Sequence, residues 1–126
     1  MQKTKLPDGH QAVMTYLIIP DAKRFLSFTK GVFGATEQHL TMADKNTIRH
    51  AEVAIGGSTI MFADSTSDWP AQPGGMFIYV DDTDAVYQKA LNAGASSIMP
   101  VEDKDYGRTC GVKDPHGNTW WITSIK

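Results

Sequence analysis

The sequence predicts an α+β fold of two βαβββ modules forming a curved mixed sheet, with helices on the convex face and a concave cleft opposite. Three observations predict it. The stretches Asp21 to Gly34 (DAKRFLSFTKGVFG) and Asp81 to Gly94 (DDTDAVYQKALNAG) each start at an acidic residue, end at Gly and run on into Ala, at an offset of about sixty residues. Gly57 to Met61 and Gly117 to Trp121 fall at the same offset, each a turn leading into an apolar strand. Between the copies lies STSDWPAQPGG, a segment with the Pro, Gly and small polar residues of a linker. The reading is a single domain over 1–126, with repeats at about 12–64 and 75–124 joined by linker 65–74.

Each element has its own signal. Val13 to Ile19 is β-branched and aromatic and stops at Pro20, which predicts a strand. Asp21 stands where a helix N-cap is wanted. Phe25, Leu26, Phe28 and Val32 follow at helical spacing, and Gly34 suits the helix end. Thr36 to Met42 reads as a strand, and Thr41 to Thr47 is a polar connection. Ile48 to Ile55 and Ser58 to Ala63 pair about Gly56-Gly57. The second module repeats this as strand Met76 to Val80, helix Asp82 to Ala93 and strand Ser96 to Val101. After a charged loop at Glu102 to Asp105, Arg108 to Lys113 and Thr119 to Ser124 pair about the DPHGN turn.

Composition bounds the function. With 41% hydrophobic and 21% charged residues, the chain has an ordinary globular balance. A net charge of −2 with dispersed Lys and Arg gives no footprint for nucleic acid. No apolar run reaches the ~18 residues of a membrane span, and the opening MQKTKLPDGHQ has no secretion-signal core. One cysteine, Cys110, allows no internal disulfide and fits a cytoplasmic protein, where a buried, inert thiol is expected.

With the modules in place, DAKRFLSFTKGVFGA in the first and YGRTCGVKDPHGNTWWI in the second resemble the vicinal oxygen chelate superfamily. That group comprises glyoxalase I, the bleomycin-resistance proteins and the extradiol dioxygenases. The resemblance runs from about Val13 to Ser124, and Asp-Pro-x-Gly-Asn is its most specific local mark. The HAEVAIGGSTIMFADS segment is similar to a glyoxalase-like branch near the bleomycin-resistance proteins. Fold alone does not fix a reaction, so the site must be argued from its residues.

The resemblance implies one divalent metal held by His or Glu from four strands. Carried across, those positions fall on Met14, Met61, Gly75 and Trp121. A thioether is soft and suits copper(I); Gly and Trp offer no donor. A shift of one residue reaches Val13, Thr15, Ile60, Phe62, Gly74, Met76, Trp120 and Ile122, which restores no strong ligand. The expectation is therefore a protein without metal or other cofactor, leaning away from enzyme. His10 is placed in a free N-terminal stretch and His116 at a turn tip; His50 and Glu52 share a strand face as a possible polar or titrating pair.

The ligand cleft is then expected at Met14, Tyr16, Met61, Phe77, Tyr79 and Trp121, with Arg108 as a handle for an anion. Trp69 is expected to pin the linker to the body. Three functions compete. The first is metal-free binding of a small aromatic or amphipathic molecule, for resistance or sequestration. The second is a metal-dependent lyase, isomerase or dioxygenase with displaced ligands such as His50 and Glu52. The third is a structural or regulatory dimer. Since the superfamily builds cavities across two-fold dimers, a homodimer is expected.

Overall fold

Strand alternation sets both layers of each module. The computed structural model describes residues 5–125. In order they form β1 (Thr15–Ile19), α1 (Ala22–Phe33), β2 (Thr36–Met42), β3 (Ile48–Ile55), β4 (Ser58–Asp64), β5 (Gly75–Tyr79), α2 (Thr83–Asn92), β6 (Ser96–Lys104), β7 (Gly107–Lys113) and β8 (Thr119–Ser124). Two four-stranded mixed sheets result, ordered β1-β4-β3-β2 and β5-β8-β7-β6, in place of one continuous sheet. In each, the first strand runs parallel to the last and the others pair antiparallel. The linker follows the free side of β1, where Ile18 bridges Gln72.

The helices take one face of each sheet: α1 packs on β3 and β4, α2 on β6, β7 and β8. Leu17, Ile19, Ala51, Val53 and Phe62 turn under α1, while Cys110, Val112, Trp120 and Ile122 fill the second layer. The layers meet in one core, where Phe25 stands edge-on to Phe62 at 4.8 Å and Phe33 lies against Trp120 at 4.5 Å. Each large apolar side chain buried there contributes about 1.5–3 kcal/mol.

Several boundaries differ from the sequence reading. Asp21 precedes α1, but its backbone is left-handed (φ 53°) and its side chain makes no capping bond. Asp64 does that work from β4, accepting the Ala22 N–H at 2.9 Å and the Ile48 N–H at 2.7 Å. One carboxylate thus caps α1 and fixes the start of β3. At the other end Gly34 sits at φ 68° and its N–H donates to the Lys30 carbonyl, a conformation that costs Gly little. Asp82 does cap its helix, accepting from the Ala85 N–H at 3.1 Å. β6 continues to Lys104 instead of stopping at Val101, because Glu102 to Lys104 still pair with β7 at the sheet edge; charged side chains are at home on an edge strand.

The DPHGN turn is a buried polar hub. Asp114, 4% exposed, accepts four hydrogen bonds, from the His116 and Asn118 N–H groups, Asn118 Nδ2 and Trp120 Nε1, at 2.8–3.0 Å. Asn118 Oδ1 accepts the Gly74 N–H at 2.9 Å and so binds the linker to the second module.

Candidate functional site

The sheet faces opposite the helices carry the chemistry. On the first, Tyr16 and Ile18 of β1, Met61 and Ala63 of β4, and His50 and Glu52 of β3 point away from the core. On the second, Phe77 and Tyr79 of β5 and Trp121 of β8 do the same, and all three are more than a third exposed. Trp121 lies across β7 because Gly111 opposes it: a Cβ there would stand 2.4 Å from the indole ring. Phe77 contacts Tyr79 at 5.2 Å and Tyr106 at 6.4 Å between ring centres. Tyr106 was missed in the sequence because it sits in a charged turn, outside any strand pattern.

The expected cleft residues divide between two cavities. Met14, Gly75, Phe77 and Tyr79 border a cavity of about 1050 Å³ at the junction of the modules, with Phe33 and Trp120 deeper in. Tyr16 borders a smaller one, about 450 Å³, with Ile18, Arg49, Ala63 and Trp69. Met61 and Trp121 line neither. Trp69 is 67% exposed and forms a wall of the smaller cavity; the linker is held to β1 instead, by the Ser65 N–H on the Ile19 carbonyl at 2.8 Å and the Gln72 N–H on the Ile18 carbonyl at 2.7 Å.

Arg108 is a correction. It alternates with Cys110 and Val112 toward α2, and its guanidinium is engaged by Asp84 at 2.6 and 3.1 Å and by Asp103 at 3.1 Å. These partners hold it charged above its ordinary range and hold Asp84 below the usual carboxylate value. Its place in the sequence, after Tyr106-Gly107, did not reveal that two aspartates face it.

His10 is a second correction, because it is not in a free stretch. Its Nε2 lies 2.8 Å from Glu52 Oε1, and the same segment is tied down by Thr59, which binds the Gly9 carbonyl and Gln11 Oε1. Glu52 is flanked on its other oxygen by His50 Nε2 at 2.8 Å, and His50 Nδ1 is 3.1 Å from the Tyr16 hydroxyl. His39 from β2 completes the cluster, its ring 5.7 Å from that of His50. The hydrogen bond from His50 chiefly, and that from His10, keep Glu52 below its ordinary value despite burial.

The metal positions do not fit a divalent ion. Met61 and Trp121 present a thioether and an indole, Gly75 presents nothing, and Met14 lies ahead of β1. Among the described residues no three of His, Cys, Asp or Glu come together as a metal-holding group. Cys110 is buried, and desolvation pushes its thiol up to about 11.

His116 is buried with neither ring nitrogen partnered among the described residues, against Phe25 at 5.4 Å. Desolvation, above all, lowers its proton affinity. The folded state thus holds it neutral, whereas the unfolded chain takes up a proton below the ordinary value of 6.5. Stability is expected to fall as pH drops below 6.5 and to level off once the folded histidine itself titrates. Glu52 acts in the same sense at lower pH, its contribution being lost as pH falls below its ordinary 4.5. Urea midpoints for His116→Leu should be flat between those limits; an unchanged slope would contradict the assignment.

This geometry is that of a known family. The chain belongs to the glyoxalase/bleomycin resistance protein/dioxygenase superfamily, whose model matches residues 10–122. An uncharacterized protein of Mycobacterium bovis is 32% identical over 121 residues, covering 86% of this chain and 80% of its own. TioX from Micromonospora sp. ML1 superposes with TM-score 0.71 at 24% identity, over 92% of this chain and 97% of that one. TnmS3, an antibiotic binding protein from Streptomyces sp. CB03234, has TM-score 0.68 at 18% identity, over 93% and 100%. No helix among the described residues is long and apolar enough to cross a membrane.

Proposed function

We propose that the protein is a cytoplasmic, metal-free binder of a small aromatic or amphipathic molecule, acting by sequestration as a homodimer. The observation that carries this is the open face of Phe77, Tyr79 and Trp121, with Tyr16 on the other sheet, all more than a third exposed. Exposed aromatics on the open sheet faces favour stacking on a planar ligand, and a second copy would close those faces from water. That TnmS3 is an antibiotic binding protein supports the binding of a small molecule. A catalytic metal is disfavoured by the donor chemistry of Met14, Met61, Gly75 and Trp121.

A thermal-shift screen of planar aromatic molecules, run with and without chelator, tests this. A ligand at a hundred times its Kd should add about 2.7 kcal/mol, equally in both conditions. Stabilisation that chelator abolishes would contradict the reading. Sedimentation should give a dimer.

A further inference from the structure

We propose that Glu52, His50 and Tyr16 form a proton-accepting relay that binds a weakly acidic hydroxyl compound, a phenol or an enol, as its anion. This rests on the binding reading above and names the chemistry of the smaller of the two cavities. Three distances carry it. Glu52 Oε2 is 2.8 Å from His50 Nε2, and His50 Nδ1 is 3.1 Å from the Tyr16 hydroxyl. Glu52 Oε1 is 2.8 Å from His10, which leaves the carboxylate, 13% exposed, saturated by imidazoles.

A carboxylate only accepts, so a neutral His50 must present its proton on Nε2 and its lone pair on Nδ1. The Tyr16 hydroxyl therefore donates to His50, and its oxygen keeps lone pairs for a ligand. Tyr16 is 48% exposed, so that oxygen is within reach. Beside it lies the cavity of about 450 Å³, with Ile18 and Ala63 as apolar floor and Trp69 as an exposed aromatic wall, a size that suits one or two rings.

Charge is provided for as well. Arg49 borders the same cavity, and among the described residues its guanidinium enters no ion pair. Asp64 also borders it, but both its oxygens are taken by backbone N–H groups. The groups facing His50 are Tyr16 from β1, His39 from β2 and Glu52 on its own strand; the neighbouring β4 offers only Met61 and Ala63. His10 reaches the cluster through Glu52.

The step conserves protons. The ligand hydroxyl gives its proton to Tyr16 Oη as Tyr16 passes its own to His50 Nδ1. The products are a bound oxyanion beside Arg49, a neutral Tyr16 and an imidazolium paired with Glu52. Imidazole is suited to this because its charge changes near neutral pH.

4-Nitrophenol is the probe, since its phenolate is coloured and its phenol is not. Binding is followed by equilibrium dialysis, and ionisation of the bound fraction by visible absorbance against pH. The bound probe's pKa should fall by about one unit, a tenfold rise in the phenolate ratio at fixed pH. Tyr16→Phe and His50→Gln should bind it more weakly and lose that shift, with melting temperatures unchanged. Binding with the pKa of the free probe would overturn the relay and leave the pocket standing. A shift that survives in Tyr16→Phe would overturn it too. No binding at all would remove both.

Discussion

Asp114→Ala is expected to cost about 3–5 kcal/mol of stability, among the largest effects of any single polar substitution in this chain. The residue is 4% exposed and accepts four hydrogen bonds, so truncation leaves four donors without an acceptor where water is scarce. One of those donors is the indole of Trp120, itself 1% exposed and tilted against Phe33 of the other module. The damage should therefore spread from the turn to the junction of the modules. Urea unfolding gives the number. A loss under about 1 kcal/mol would mean that the turn is held by its backbone alone.

Phe25→Ala should be comparable, about 3–5 kcal/mol. Phe25 is fully buried on α1, edge-on to Phe62 within its own module and against His116 of the second. Its removal opens a cavity that both modules line and that neither can close by local collapse. Phe25→Leu keeps most of the volume and should cost under about 1.5 kcal/mol. Equal losses for the two variants would show that volume is not what the position supplies.

These residues also show what could be read in the chain. β2, β3 and β8 fall at their expected bounds because alternation and turn residues are local signals. The helix stripe of Phe25, Phe28 and Val32 faces the core for the same reason. The capping of α1 was hidden, since Asp64 stands 42 positions away and nothing near Ala22 advertises it. Distance in sequence likewise concealed the Asp84 partner of Arg108, 24 positions away, and the 42-residue reach of His10 to Glu52. Period-two patterning placed His50 and Glu52 on one face; it gave no hint of the Tyr16 contact, which crosses the intervening strand β4. The division of the strands into two sheets depends on which edges stay unpaired, a tertiary property.

The central claim is that the open aromatic face grips a ligand by stacking, without Lewis-acid chemistry. Its most direct measurement is the affinity of an aromatic ligand from the screen for the native protein and for Trp121→Ala, each in chelator. Trp121 is 37% exposed and its ring lies over Gly111, so its loss should leave the melting temperature within a few degrees. Affinity should fall about tenfold or more, as stacking worth 1–3 kcal/mol implies. Equal affinity for the two proteins, or binding that appears only when a divalent metal is restored, would contradict the account.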